Sequence, residues 1–166
     1  MTIYTQEISE TGELALFELD DTFYCLRAIY VKQPFIFNTN LTVEHASYFL
    51  PEGCFADALD EIEQISKDKF LYYWHLSISP HLKDWQKLKE KFKIGQFIKT
   101  YIVCFYPQGV IVQFGEKFYG LANDHECLCV LGAQKMYSNT TIELCIDKFD
   151  DENLWVIFST PASFKH

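Results

Sequence analysis

The stretch from Trp85 to Phe114 limits this chain more than any other. Leu82, Trp85, Leu88 and Phe92 fall at helical spacing, with lysines between them. Gly95 then interrupts the pattern, and an apolar run leads to Tyr106. Pro107-Gln108-Gly109 is a turn, because Pro presets φ and Gly tolerates positive φ. A second apolar run ends at Phe114-Gly115. A short amphipathic helix that changes within a few residues to a β-hairpin predicts a mainly β second half with a helix leading into it.

Composition narrows the function. The 166 residues are 49% hydrophobic and 17% aromatic, ample for packed cores. The net charge is −9, with 8 Lys/Arg against 15 Asp/Glu in residues 1–92 and 6 against 8 in residues 93–166. An acidic chain has no long-range field to gather phosphates, which argues against strong non-specific nucleic-acid binding. The N-terminal residues lack a basic and apolar signal pattern, and no apolar run approaches the ~18 residues of a membrane span. A soluble cytoplasmic protein with no membrane contact is the expectation. The six cysteines (25, 54, 104, 127, 129 and 145) lie mostly in apolar runs and read as small buried hydrophobes rather than a disulfide framework.

Taken in order, residues 1–13 read as a polar lead-in. Leu14–Phe17 and Phe23–Tyr30 read as strands around an Asp20-Asp21 turn, and Phe35–Phe37 as a third strand. Val43–Leu50 fits helix or strand. Phe55, Leu59, Ile62 and Ile65 predict an amphipathic helix over 55–66, with Asp57, Asp60, Glu61 and Glu63 on its outer face. Phe70–Ile78 reads as a β-prone aromatic strand. Pro80 suits the first turn of the next helix, whose Lys83, Lys87 and Lys91 repeat every four residues with Lys89 and Lys93 beside them. That is the densest basic patch, read either as a solvated face or as phosphate-contacting. Lys117–Asn123 predicts a strand, 125–139 irregular chain, Thr140–Ile146 a strand, Asp150–Asn153 a tight acidic turn and Leu154–Phe158 a last strand.

Gly95, Gly109, Tyr119-Gly120-Leu121 and the segment from Asp150 to Phe158-Ser159 stand in an order and spacing that resembles the ribosomal protein S1-type RNA-binding domain over about residues 95–159. Thr100 stands where that family has a further Gly. Tyr73-Trp-His-Leu-Ser77 also parallels Trp155-Val-Ile-Phe-Ser159 at an offset of 82, and Gly12 lies 83 before Gly95. The resemblance implies a mainly β protein of two small tandem OB-type five-stranded barrels joined by a short amphipathic helix, with an extra helix in the first unit. The implied domains are 1–80, a linker helix at 81–94, and 95–166.

The family binds RNA on its barrel face through aromatics, a His, an Asp and an Arg. The matching positions here are Gln108, Ile111, Asn123, Asp150 and Trp155, so only the Asp is retained. Each lost stacking ring removes about 1–3 kcal/mol per base. Tyr101, Tyr106, Phe118, Tyr119 and Trp155 could rebuild an aromatic platform flanked by Lys99 and Lys117, or could fill a small barrel whose alternate residues point inward.

His125-Glu-Cys-Leu-Cys129 has zinc-ligand residue types, but Cys-x-Cys is not the usual spacing and no second close pair exists, so no metal is expected. There is no phosphate loop, dinucleotide fingerprint, nucleophile elbow or His-Glu-x-x-His, so neither cofactor nor catalysis is expected. Two functions remain open: weak binding of single-stranded RNA or a ribonucleoprotein, and an acidic adaptor or inhibitor for a basic protein on a degenerate OB scaffold.

Overall fold

The structure is a computed structural model that describes residues 2–161. The chain is mainly β and divides into two compact units, Met1–Leu82 and Lys83–His166.

In the first unit, strands β1 (Ile3–Ile8), β2 (Leu14–Leu19), β3 (Cys25–Lys32) and β4 (Phe35–Asn38) form an antiparallel meander. The β2–β3 turn is fixed by Asp20, whose carboxylate accepts from the amides of Thr22 (2.8 Å) and Tyr24 (3.0 Å) and from the Thr22 hydroxyl (2.7 Å). Short side chains that bond their own backbone favour such turns. A two-residue strand β5 (Glu63–Gln64) adds to the far side of β1, giving the order β4-β3-β2-β1-β5. Helix α1 (Lys67–Ile78) packs on one face, and a 3-10 turn (Ser79–His81) follows it.

Several expectations for this unit are corrected. It is an open sheet with a helix, not a second barrel. The internal parallel at offset 82 is not structural, because Tyr73–Ser77 lies in α1 and Trp155–Ser159 forms a strand. The expected aromatic strand at 70–78 is helix α1. Its Phe70, Trp74, Ser77 and Ile78 recur three to four residues apart and are all buried, so burial of one helical stripe overrides β propensity. Ser66 caps it, its hydroxyl accepting from the Lys69 amide at 3.2 Å. The expected acidic helix at 55–66 is only a 3-10 turn (Ala56–Ala58), with no buried residue, followed by β5. A helix that short gains little without a packed face, while Glu63 and Gln64 find backbone partners on β1. The polar lead-in is strand β1, hidden in sequence because its buried residues are themselves polar: Thr5 and Gln6 are 0% and 6% exposed. Within 43–50, Val43 and Ala46 close a tight bridge around Glu44 and His45, both at positive φ.

The second unit opens on helix α2 (Leu82–Lys91), whose first residue belongs to the preceding unit. Strands β6 (Phe97–Tyr106), β7 (Gly109–Phe114), β8 (Phe118–Ala122), β9 (Thr141–Asp150) and β10 (Trp155–Ser159) close a barrel in the order β10-β8-β7-β6-β9. Only β8 and β10 run parallel. Strand β6 serves both sides of the closure: Phe97–Tyr101 pair with β9, and Ile102–Tyr106 with β7, across a register shift between Ile102 and Cys104. Such a shift bends a strand, which a small barrel requires. Gly109 and Gly120 are dictated by space. An added Cβ at Gly109 would run into the Ala122 carbonyl, and one at Gly120 into the Phe158 ring. The expected irregular segment 125–139 contains helix α3 (Asp124–Leu131), capped by Asn123, whose side chain accepts from the Glu126 amide at 3.0 Å. Strand β9 runs four residues beyond its expected end because its second half pairs with β10.

Candidate functional site

Most of the residues expected to contact RNA are committed to packing or to turns, although Trp155 and Tyr119 lie opposite one another on β10 and β8. Ile111, Tyr119 and Trp155 are buried, at 0%, 2% and 3% exposure, and the Trp155 ring lies 6.4 Å from that of Tyr106. As they stand, these three serve packing and are not offered to a ligand. Asn123 is occupied as the α3 cap. Asp150 holds the β9–β10 turn, accepting from the amides of Glu152 and Asn153 (both 3.1 Å) and the Asn153 side chain (2.8 Å). Gln108 sits half-buried in the β6–β7 turn. Phe118 is buried against Trp85, with ring centres 5.2 Å apart.

The lysines are also partly committed. Lys83, Lys87 and Lys91 are exposed on α2, but Lys87 lies 3.8 Å from Asp84. Lys117 donates to Asp84 at 2.7 Å, and Lys89 donates to Asp151 at 2.7 Å. The Trp85 indole donates to the same Asp151 oxygen at 2.6 Å. Lys89, and to a lesser degree Trp85, hold the Asp151 carboxyl below its usual range. These bonds fasten α2 to the barrel and neutralise part of its basic face.

What the barrel does present is a strip on β6. Phe97, Lys99 and Tyr101 alternate outward, with Phe97 52% and Tyr101 43% exposed. Beside the strip, an open groove of about 240 Å³ is lined by Phe92, Ile98, Lys99, Tyr101, Gln113 and Phe114. It lies where β6 leaves β7 for β9, and the Thr100 hydroxyl spans the gap by donating to the Gln113 carbonyl. This bond gives Thr100 a structural use that its residue type alone did not reveal.

The sheet unit is different. By sequence it holds 4 Lys/Arg and 13 Asp/Glu, or −9, while residues 83–166 hold 10 of each. The structural boundary therefore places the whole net charge in the first unit, a sharper division than the sequence alone suggested. Its face opposite α1 is aromatic: Phe17, Tyr30, Phe37, Tyr48 and Phe55 form a chain of ring contacts with centres 4.5–6.2 Å apart. Sequence reasoning missed this face because it is assembled from three strands and from Tyr48 and Phe55 outside them.

The cysteines are free thiols; Cys25, Cys127 and Cys145 are buried, Cys104 is half-buried, and Cys54 and Cys129 are exposed. Burial pushes the Cys25 thiol up to about 12 and those of Cys104 and Cys127 to about 11, far from a reactive thiolate. His125 and Cys129 share one face of α3, with Nδ1 and Sγ 3.8 Å apart. Among the described residues no cluster of three or more His, Cys, Asp or Glu is arranged to hold a metal. Nor is any helix there long and apolar enough to cross a membrane. No family model, curated protein or solved structure matches the chain.

Proposed function

We propose that this protein is a non-catalytic, cytoplasmic adaptor or inhibitor that binds a basic protein partner through its acidic first unit, with the barrel as an OB-type scaffold. The observation that carries this is the charge division: −9 on the sheet unit and zero on the barrel. Complementary fields accelerate encounter with a cationic partner and reject nucleic acid. The strand order, the parallel β8–β10 pair and a helix between the third and fourth barrel strands support the OB-type reading. An S1-type ancestry fits that order, although of the matching positions Ile111 and Trp155 are buried and Asn123 and Asp150 brace a helix start and a turn.

A second reading, weak single-stranded RNA binding by the barrel, is favoured by the Phe97-Lys99-Tyr101 strip, since exposed rings stack on bases without regard to sequence. Titrations of the full chain with fluorescent deca-arginine and with fluorescent single-stranded RNA, each at low and moderate salt, separate the two. The expected outcome is salt-sensitive binding of the peptide and none of the RNA. Binding of RNA that weakens on combined Lys83→Ala, Lys87→Ala and Lys91→Ala substitution, without binding of the peptide, would overturn the proposal in favour of the second reading.

A further inference from the structure

The open face of the first sheet contains a depression of about 250 Å³, and its construction is readable from the register. Glu7, Ala15, Tyr30 and Phe37 lie opposite one another in one row across β1, β2, β3 and β4. Ala15 puts only a methyl between the carboxylate of Glu7 and the ring of Tyr30, and the missing bulk is the depression. Tyr48 supplies the far wall, its ring 5.2 Å from Tyr30 and 4.5 Å from Phe37. Glu7 and Glu13 line the rim.

The depression already handles a cation. The Lys32 ammonium lies over the Tyr48 ring, 5.3 Å from its centre, and 3.4 Å from the Glu13 carboxylate. Tyr48 and then Glu13 hold its pKa above the ordinary lysine value. A ring face beside a carboxylate is the arrangement that recognises ammonium and guanidinium groups. Lys32 satisfies Glu13, while Glu7 stands across the Ala15 gap beside Tyr30.

Resting on the charge-based reading above, we propose that this depression is where the partner docks: it receives one Lys or Arg side chain of a basic protein, seated over the Tyr30 and Tyr48 rings between Glu7 and Glu13. Lys32 holds the place in the free protein and moves aside when the partner's cation enters. The surrounding −9 unit supplies attraction at a distance, and the depression supplies position.

Fluorescent deca-arginine titrated into the full chain at low salt is the probe, with thermal melts to confirm that each variant folds. Glu7→Gln removes an exposed carboxylate at the rim, and Glu61→Gln removes one exposed charge from the same unit outside the depression. Glu7→Gln is expected to weaken binding at least about threefold more than Glu61→Gln, and Tyr48→Leu to weaken it about twofold to fivefold through loss of the ring. Lys32→Ala is expected to strengthen binding more than Lys67→Ala, which makes the same charge change on the exposed start of α1. Equal effects of Glu7→Gln and Glu61→Gln, or of the two lysine variants, would mean diffuse attraction; the docking site would be lost while the acidic-partner reading stood. Absence of peptide binding by the unaltered chain overturns both, and RNA binding in its place points to the barrel.

Discussion

The two units bury different kinds of core. The barrel interior is apolar apart from Thr100, with Ile102, Val110, Val112, Leu144 and Val156 fully buried. The sheet unit instead places a row of polar groups beneath its helix. Tyr4, Glu18 and Arg27 lie opposite one another on β1, β2 and β3. The Glu18 carboxylate accepts from the Tyr4 hydroxyl (3.1 Å) and from Arg27 Nε. The Arg27 guanidinium lies over the rings of Trp74 and Phe70, 4.7 and 5.4 Å from their centres. One unit is held by shape and the other partly by a charge pair that must stay complete.

This contrast predicts unequal responses to breaking each core, and the largest belongs to Arg27. Its side chain and that of Glu18 are only 9% and 11% exposed, so Arg27→Met leaves a buried carboxylate without its cation. Such a loss costs about 3–5 kcal/mol. Trp74 is the only tryptophan in the first unit, so its fluorescence in a background where Trp85 and Trp155 are Phe reports that unit's urea unfolding. Arg27→Met should shift this transition strongly downward. Combined Arg27→Met and Glu18→Leu substitution should recover most of the loss, because replacing both charges with apolar groups removes the unpaired carboxylate. A double variant as unstable as the single one would mean that the row contributes by packing alone.

The same contrast explains what could be read from the sequence. The barrel was legible because its inward residues are apolar and alternate, and because Gly109 and Gly120 sit where a side chain cannot fit. Strands β6, β7, β8 and β10 fall close to their expected positions for that reason. The sheet unit was misread where polar groups do the work of apolar ones. In β1, Thr5 and Gln6 are buried but look like surface residues. In α1, the dense aromatic content of Phe70–Trp74 outweighed a helical spacing that was present all along. The candidate site was the least legible part. Glu7, Ala15, Tyr30 and Tyr48 are distant in sequence; strand register brings the first three together, and a loop brings Tyr48 against them.

A smaller effect is expected when the barrel's shape is disturbed. Gly120→Ala places a methyl into the Phe158 ring and close to the Val156 carbonyl, at 3.0 Å. The parallel β8–β10 pairing leaves little freedom to retreat, so the change should destabilise the barrel by about 1–3 kcal/mol. Urea unfolding followed by Trp85 and Trp155 fluorescence should shift, while Trp74 in its single-tryptophan background reports an unchanged first unit. Equal shifts in both would mean that the units do not unfold separately.

The smallest effect concerns the fastening of α2. Asp151 accepts from Lys89 and from the Trp85 indole, and its folded pKa is depressed, with Lys89 the larger cause. A depressed carboxyl contributes stability that is fully present above the unfolded pKa, about 3.9. That contribution is lost as pH falls through the lower folded value. The Asp151 side chain is 66% exposed, so solvent screens the pair and the contribution is of order a few tenths of a kcal/mol. Many carboxylates titrate in this window, so the informative quantity is the difference between the protein and its Asp151→Asn variant. The variant's amide oxygen still accepts from the indole but no longer attracts Lys89 as an anion. The native chain should melt slightly higher than the variant at neutral pH, and the gap should close as pH drops below about 4. No gap even at neutral pH would show that Trp85, through its hydrogen bond and packing, anchors α2 without help from the charge.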